Sequence, residues 1–210
     1  MVTKTDYIFH NRRLSEALHA ALAGDAFYIA MESSVSGPPD CRREAMLRYY
    51  DFSFQEGRRY GAVVVTDGQA SGASIWTIPL EERLSEKMSH DKKAFLGSHM
   101  GCASLQTYER ITGFMARQTH AVRPPGSWYL SIIGIAPEFQ GRGLGGALVV
   151  PMLERTDQLG VHTYLETFTP RNMPFYRRLG YEAIAAFDEP ATKARYWVMA
   201  RPPSSRSFGR

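Results

Sequence analysis

Apolar residues at Leu14, Ala17, Leu18, Ala21 and Leu22 recur at three- and four-residue intervals, so the spacing predicts an amphipathic helix over 13–23, stopped by Gly24. Residues 33–40 are rich in Ser, Gly and Pro and predict a loop. A second helix follows over about 42–55, with Met46, Leu47, Tyr50 and Phe54 inward. The β-branched run 60–66, the Asp67-Gly68 pair and the return over 70–78 predict a hairpin. From 79 to 120 a helical period passes through Leu80, Leu84, Met88, Phe95, Leu105, Tyr108, Ile111 and Met115; Gly97, Gly101 and Gly113 weaken it, which predicts two helices. Pro124-Pro125-Gly126 forces a loop, and the continuous apolar run 128–135 predicts a buried central strand. A helix over 143–159, a strand over 162–167, a short helix over 172–179 and closing strands over 181–187 and 195–199 complete the order.

Composition narrows the class. A chain of 210 residues with 44% hydrophobic and 22% charged residues is long enough for one well-buried α/β domain, here placed over 1–200 with a tail over 201–210. The tail has the composition of a disordered end, which a second subunit in a homodimer would hold. The net charge of +4 comes from 25 basic residues interleaved with 21 acidic ones, which suits an anionic small molecule better than nucleic acid. Cys41 and Cys102 offer no disulfide framework, and the six histidines show no metal-ligand spacing, so no metal is expected. The start of the chain lacks the apolar core of a signal peptide, and no apolar run approaches the ~20 residues that span a bilayer. A cytoplasmic protein with reduced thiols is the expectation.

The chemistry is concentrated in Trp128–Val150, where a strand ends at Ala136-Pro137 and Gly141, Gly143, Gly145 and Gly146 open a helix. Such glycines let backbone N–H groups approach a ligand, and the unpaired N–H groups and dipole of a helix N-terminus favour a pyrophosphate. Arg142 adds a full charge beside them. Gly141, Gly143 and Gly146 also satisfy the GxGxxG of dinucleotide-binding proteins, with Glu166 20 residues further on. Against that stands the spacing: Pro137-Glu138-Phe139-Gln140 separate the strand from the first glycine, and the unit begins too late for a doubly wound sheet. Pro151 inside the helix should kink it. Gly134 in the central strand marks a bulge or a close backbone approach.

Gln140-Gly141-Arg142-Gly143-Leu144-Gly145 resembles the Q/R-x-x-G-x-G/A signature of the GNAT acyltransferases, and the block from Leu165 to Glu182 (LETFTPRNMPFYRRLGYE) is similar to the later strand and Asn-x-x-x-Tyr helix of that family. The resemblance implies a mixed α/β (α+β) fold: a mostly antiparallel central sheet with one splayed parallel pair of strands, flanked by helices. It departs from the family at the N-terminus, where the usual first strand is shortened or absent. It implies acetyl-CoA as co-substrate, with Gln140, Gly141, Arg142, Gly143, Leu144, Gly145 and Gly146 at the pyrophosphate. Ile133, Gly134 and Ile135 would then meet the pantetheine arm as a pseudo-strand, and a backbone N–H near Ile135 would polarise the thioester carbonyl.

Tyr176 matches the family tyrosine that donates to the departing sulfur. A phenol near 10 facing a thiol near 8.5 makes full transfer unfavourable by ~2 kcal/mol, so a hydrogen bond to the developing thiolate is the expected role. The alternative is a core aromatic beside Phe175 and Tyr181. Asn172, four residues earlier, would cap the helix, bond the pantetheine, or both. Glu166 is the candidate base, or else the ion-pair partner of Arg171, Arg177 or Arg178. Trp76, Phe95, Tyr108 and Met115 would line an acceptor pocket or serve as simple core. The implied acceptor is the primary amine of a small molecule; a protein lysine or N-terminus, or a non-catalytic acyl-CoA sensor, are the alternatives.

Overall fold

The computed structural model describes residues 7–66 and 70–205. Helices α1 (Arg12–Leu22), α2 (Ala26–Ser34) and α3 (Pro39–Tyr60) precede a hairpin of β1 (Gly61–Val65) and β2 (Gly72–Thr77). Then come α4 (Glu82–His99), α5 (Cys102–His120), β3 (Trp128–Ile135), α6 (Leu144–Leu159), β4 (Thr163–Thr167), α7 (Met173–Arg178), β5 (Glu182–Glu189) and β6 (Ala194–Arg201).

Three local differences from the sequence expectations have physical reasons. The loop over 33–40 shrinks because α2 runs to Ser34 and α3 starts at Pro39, whose fixed φ and missing N–H suit a first helical position. Helix α2 itself went unassigned, although Asp25 caps it by accepting from the Phe27 amide at 3.0 Å. The break between α4 and α5 falls at Gly101, at φ +90°, while Gly97 and Gly113 stay inside helices. The turn expected at Asp67-Gly68 lies outside the described residues, as does the end of the tail after 205. Among the described residues, 7–60 form helices and no strand.

The sheet runs β1-β2-β3-β4-β6-β5, with every neighbouring pair antiparallel except β3 and β4. That parallel pair is short: Trp128, Tyr129 and Leu130 face Thr163, Tyr164 and Leu165, and pairing stops there although β3 continues to Ile135. The two strands therefore part, as the resemblance implies. The bulge that accompanies the parting is at Ser131. The β2–β3 register jumps from Trp76↔Leu130 to Ile75↔Ile132, leaving Ser131 unmatched and its hydroxyl on the Ile75 carbonyl at 3.0 Å. Gly134 is not a bulge. A Cβ there would lie 2.9 Å from both Ala21 and Leu18, so the glycine makes room for α1 against the sheet.

Two cores cover the two faces. On one, α1, α3 and α4 close over Ala73, Ile75 and Ile132, while α5 brings Ile111 and Met115 onto Tyr196 and Val198. On the other, α6 and α7 close over Trp76, Trp128, Leu130, Leu165 and Met199. The extra residue at Ser131 resets the alternation of β3, so Tyr129, Ser131 and Ile132 all turn toward the N-terminal helices. Pro151 is accommodated inside α6; in the turn before it the Leu148 carbonyl accepts the Ser74 hydroxyl at 2.6 Å, and Ser74 in turn accepts the Trp76 indole N–H at 3.0 Å. At its last residue β6 is pinned by Arg201, whose guanidinium meets Asp157 at 2.6 and 2.8 Å. No helix among the described residues is long and apolar enough to cross a membrane.

Candidate active site

The parted strands divide the site into a channel and a cavity. On the channel side, Ala136 donates its N–H to Ser71 at 2.8 Å, so by strand alternation the backbone groups of Ile133 and Ile135 point to the opposite edge, where β4 has left. The Ile135 carbonyl there is taken by the Gln140 amide at 2.8 Å, which ties the following loop to the strand and leaves the N–H of Ile135 facing the gap. The side chains of Ile133 and Ile135 pack with α6 and α7.

The glycine turn divides its labour. Gly141 and Gly143 sit at φ +77° and +78°, a conformation that other residues adopt only with strain. Leu144 and Gly145 then open α6 with N–H groups that have no carbonyl one turn back. Gly146 has nothing within 4 Å of where a Cβ would stand, whereas a Cβ on Gly145 would lie 2.9 Å from the Phe175 ring. Gly145 is thus a packing glycine between α6 and α7, and Gly141, Gly143 and Gly146 form the open cradle. Arg142 is exposed, held by the Glu138 carbonyl at 2.9 Å and lying 5.2 Å over the Phe139 ring, so its charge stays on the loop. A Cβ-free cradle at a helix N-terminus fits a phosphate group.

Tyr176 is buried, flanked by Phe175 and Tyr181 at ring separations of 5.2 and 6.2 Å. Burial, and then the charge of Asp25, push its phenol far above the ordinary tyrosine value, so it stays protonated at neutral pH. Asn172 does not cap α7: it is exposed and makes no cap hydrogen bond, because a 3-10 turn over Pro170–Asn172 leads into the helix in its place.

On the other side of the sheet a cavity of about 500 Å³ lies between strands β2–β4 and helices α2–α5. Glu166 stands in its wall at the end of β4. Its carboxylate accepts from the Thr119 hydroxyl and, at 2.9 Å, from the Tyr129 phenol. Burial raises its pKa, while those two hydroxyls and Arg123 oppose the rise. Arg171, Arg177 and Arg178 are exposed, and the partners of Glu166 are hydroxyls, so the ion-pair alternative does not hold. Tyr108 and Met115 line the cavity. Trp76 forms part of its wall with its indole in the α6 core, and Phe95 is core, stacked 4.2 Å from Phe52.

Sequence reasoning missed further polar residues of this cavity. Asp25 lines it from the start of α2, and burial raises its carboxyl. Lys92, buried in α4, donates to Ser53 at 2.9 Å and pairs with Glu56 at 3.3 Å. Tyr129, stacked on Tyr164 at 4.7 Å, supplies the hydroxyl to Glu166. The visible signals were the cap position of Asp25 and a lysine between Met88 and Phe95 on an otherwise apolar helix face. Among the described residues no group of His, Cys, Asp or Glu is arranged to hold a metal ion.

Residues 38–181 match the acetyltransferase (GNAT) family. An uncharacterized N-acetyltransferase of Schizosaccharomyces pombe is 31% identical over 83 residues, which are 39% of this chain and 34% of that protein. The mycothiol acetyltransferase of Corynebacterium aurimucosum is 33% identical over 87 residues, 40% of this chain and 28% of that protein. The matches thus span about a third of those relatives. Among solved structures, the arylalkylamine N-acetyltransferase 2 of Aedes aegypti superposes with a TM-score of 0.61 at 11% identity, covering 92% of this chain and 94% of that one. The histone acetyltransferase HPA2 and related acetyltransferase of Corynebacterium glutamicum gives 0.58 at 20%, covering 94% and 93%. The polyamine N-acetyltransferase of Drosophila melanogaster gives 0.51 at 17%, covering 91% and 93%. At these identities the structures speak for the shared fold.

Proposed function

The chain belongs to the GNAT acetyltransferase family, whose members use acetyl-CoA as co-substrate, and we propose that it acetylates a primary amine of a small molecule by direct transfer. The observation that carries the reading is a carboxylate, Glu166, buried in the wall of a ligand-sized cavity at the point where β3 and β4 part. The open glycine cradle would hold the pyrophosphate, and the free edge of β3 would hold the pantetheine arm. The Ile135 N–H would face the carbonyl oxygen that gains charge. Glu166 would take the proton of the incoming ammonium, freeing the nitrogen to form the C–N bond. As the C–S bond breaks, Tyr176 would donate a hydrogen bond to the developing thiolate, a role suited to a phenol that stays protonated. The second proton that the nitrogen sheds in becoming an amide would pass to the departing sulfur. Asp25 adds negative charge that favours a cationic amine.

A ligand-sized cavity with walls drawn from four helices favours a small acceptor over a protein lysine or N-terminus. Two structural neighbours are named for small amines, polyamine and arylalkylamine. The stretch from Leu165 to Glu182 also resembles that of puromycin N-acetyltransferase, which puts puromycin among the amines to try. Two exposed, unpaired cysteines, Cys41 and Cys102, fit a cytoplasmic location.

The test is CoA release over a panel of amines, with thermal melting beside it. Acetyl-CoA should raise Tm by mass action, and NAD and NADP should not. A shift with acetyl-CoA and no amine-dependent release would leave an acyl-CoA sensor; a shift with NAD alone would remove the reading.

A further inference from the structure

The Glu56–Lys92 pair has no part in the transfer step, yet it stands in the wall of the acceptor cavity. The Lys92 side chain is only 6% exposed; its ammonium contacts Ser53 and Glu56 and lies 4.5 Å over the Tyr49 ring and 5.1 Å over Phe52. Burying such a pair stabilises a fold little better than apolar residues of equal volume would. Its position therefore makes chemical sense as a surface offered to a ligand. The ion pair uses Oε2 of Glu56, whose side chain keeps 21% of its surface exposed. The cavity wall elsewhere includes the rings of Phe27, Tyr28, Tyr108, Tyr164 and Phe168.

Charge and shape together restrict the occupant. A ligand carboxylate placed there would meet Glu56, and a second ammonium would meet Lys92. A neutral group that accepts from one and donates to the other meets neither penalty, and aromatic walls favour an aromatic body. Resting on the acetyl-transfer reading, we infer that the acceptor is an aromatic amine carrying, away from the amine, a neutral hydrogen-bonding group that seats on Glu56 and Lys92.

The test compares two amines of one skeleton, 2-phenylethylamine and its 4-hydroxy analogue tyramine, with the full chain and acetyl-CoA. The kcat/KM ratio should favour tyramine by about tenfold or more, because a site built to hydrogen-bond a hydroxyl discriminates against the analogue that lacks it. In the double variant Lys92→Met with Glu56→Gln that ratio should fall toward one, with folding checked by the acetyl-CoA melting shift. If the double variant does not fold, Glu56→Gln alone should still lower the ratio. A wild-type ratio near one, a ratio unmoved by either variant, or turnover confined to aliphatic amines overturns the inference and leaves acetyl transfer standing. Absence of CoA release over every amine sinks the transfer reading, and this inference with it.

Discussion

Removing one oxygen atom, in Tyr129→Phe, isolates the role of Glu166. The phenol donates to Oε2 at 2.9 Å while Thr119 holds Oε1. The ring stays, including its stacking on Tyr164 at 4.7 Å, so shape and packing change little. A hydrogen bond to a charged group contributes about 1.5–3 kcal/mol, or roughly 1–2 pH units of protonation equilibrium. The bond favours the carboxylate, so its loss favours the acid form and moves the acid limb of kcat/KM against pH upward by about 1–2 pH units. Initial rates of CoA release from pH 5 to 9, at saturating acetyl-CoA, resolve such a displacement. The rate on the high-pH plateau should change far less than the rate at pH 6. An acid limb that stays in place while the plateau falls would refute the reasoning, because Glu166 would then be positioning substrate without taking the proton.

Glu166→Gln should lose rate at neutral pH and regain part of it as the pH rises and the amine deprotonates unaided; a loss constant from pH 7 to 10 would point to structure. The same variant should melt no lower than wild type at pH 7. Burial raises the folded carboxyl above its unfolded value, so ionising it costs stability as pH rises through that window, and the amide removes the cost. Tyr176→Phe should lower kcat by about 10²–10⁴-fold with acetyl-CoA affinity little changed, read by steady-state kinetics beside calorimetry. Gly146→Leu, with open space at its Cβ, should stay folded and weaken acetyl-CoA about tenfold or more, roughly 1.4 kcal/mol, whereas Gly145→Val should lower Tm by striking Phe175. Asp157→Ala should lower Tm by removing the carboxylate that meets the Arg201 guanidinium at 2.6 and 2.8 Å and accepts the Ser204 amide. Burial alone would raise the Asp157 carboxyl, but Arg201 and the Ser204 amide hold it below the usual range. The Asp157 contribution is therefore present above the ordinary carboxylate range and lost as pH falls through the lowered value, so the difference in Tm should shrink in acid.

The sequence by itself determined most of the elements, α2 excepted, and the open glycine turn before α6, because both are local. A 3.6-residue or continuous apolar period places β3 at Trp128–Ile135 and α6 at Leu144–Leu159 without knowledge of the rest. Glycines before a helix carry their meaning in their own backbone angles, as Gly141 and Gly143 do. The sequence also displayed Tyr176, by its place in a pattern similar to the family's, and Glu166, by its place at the end of an apolar strand. What it did not display depends on residues far apart in the chain. Gly134 could be read as a bulge until α1 was seen lying against it, and the bulge at Ser131 comes from β3 pairing with β2, where Ile75 stands 56 residues away. Glu166 could pair with nearby arginines until folding brought Thr119 and Tyr129 to it, 47 and 37 residues away. Asn172 had a cap sequence but not a cap geometry. Lys92 broke an apolar stripe, yet only the packing of α4 on α3 set it against Ser53 and Glu56. Backbone angles and periodicity act between neighbours in sequence, whereas desolvation and hydrogen bonding of buried groups act between neighbours in space, and those were decided when the helices closed over the sheet.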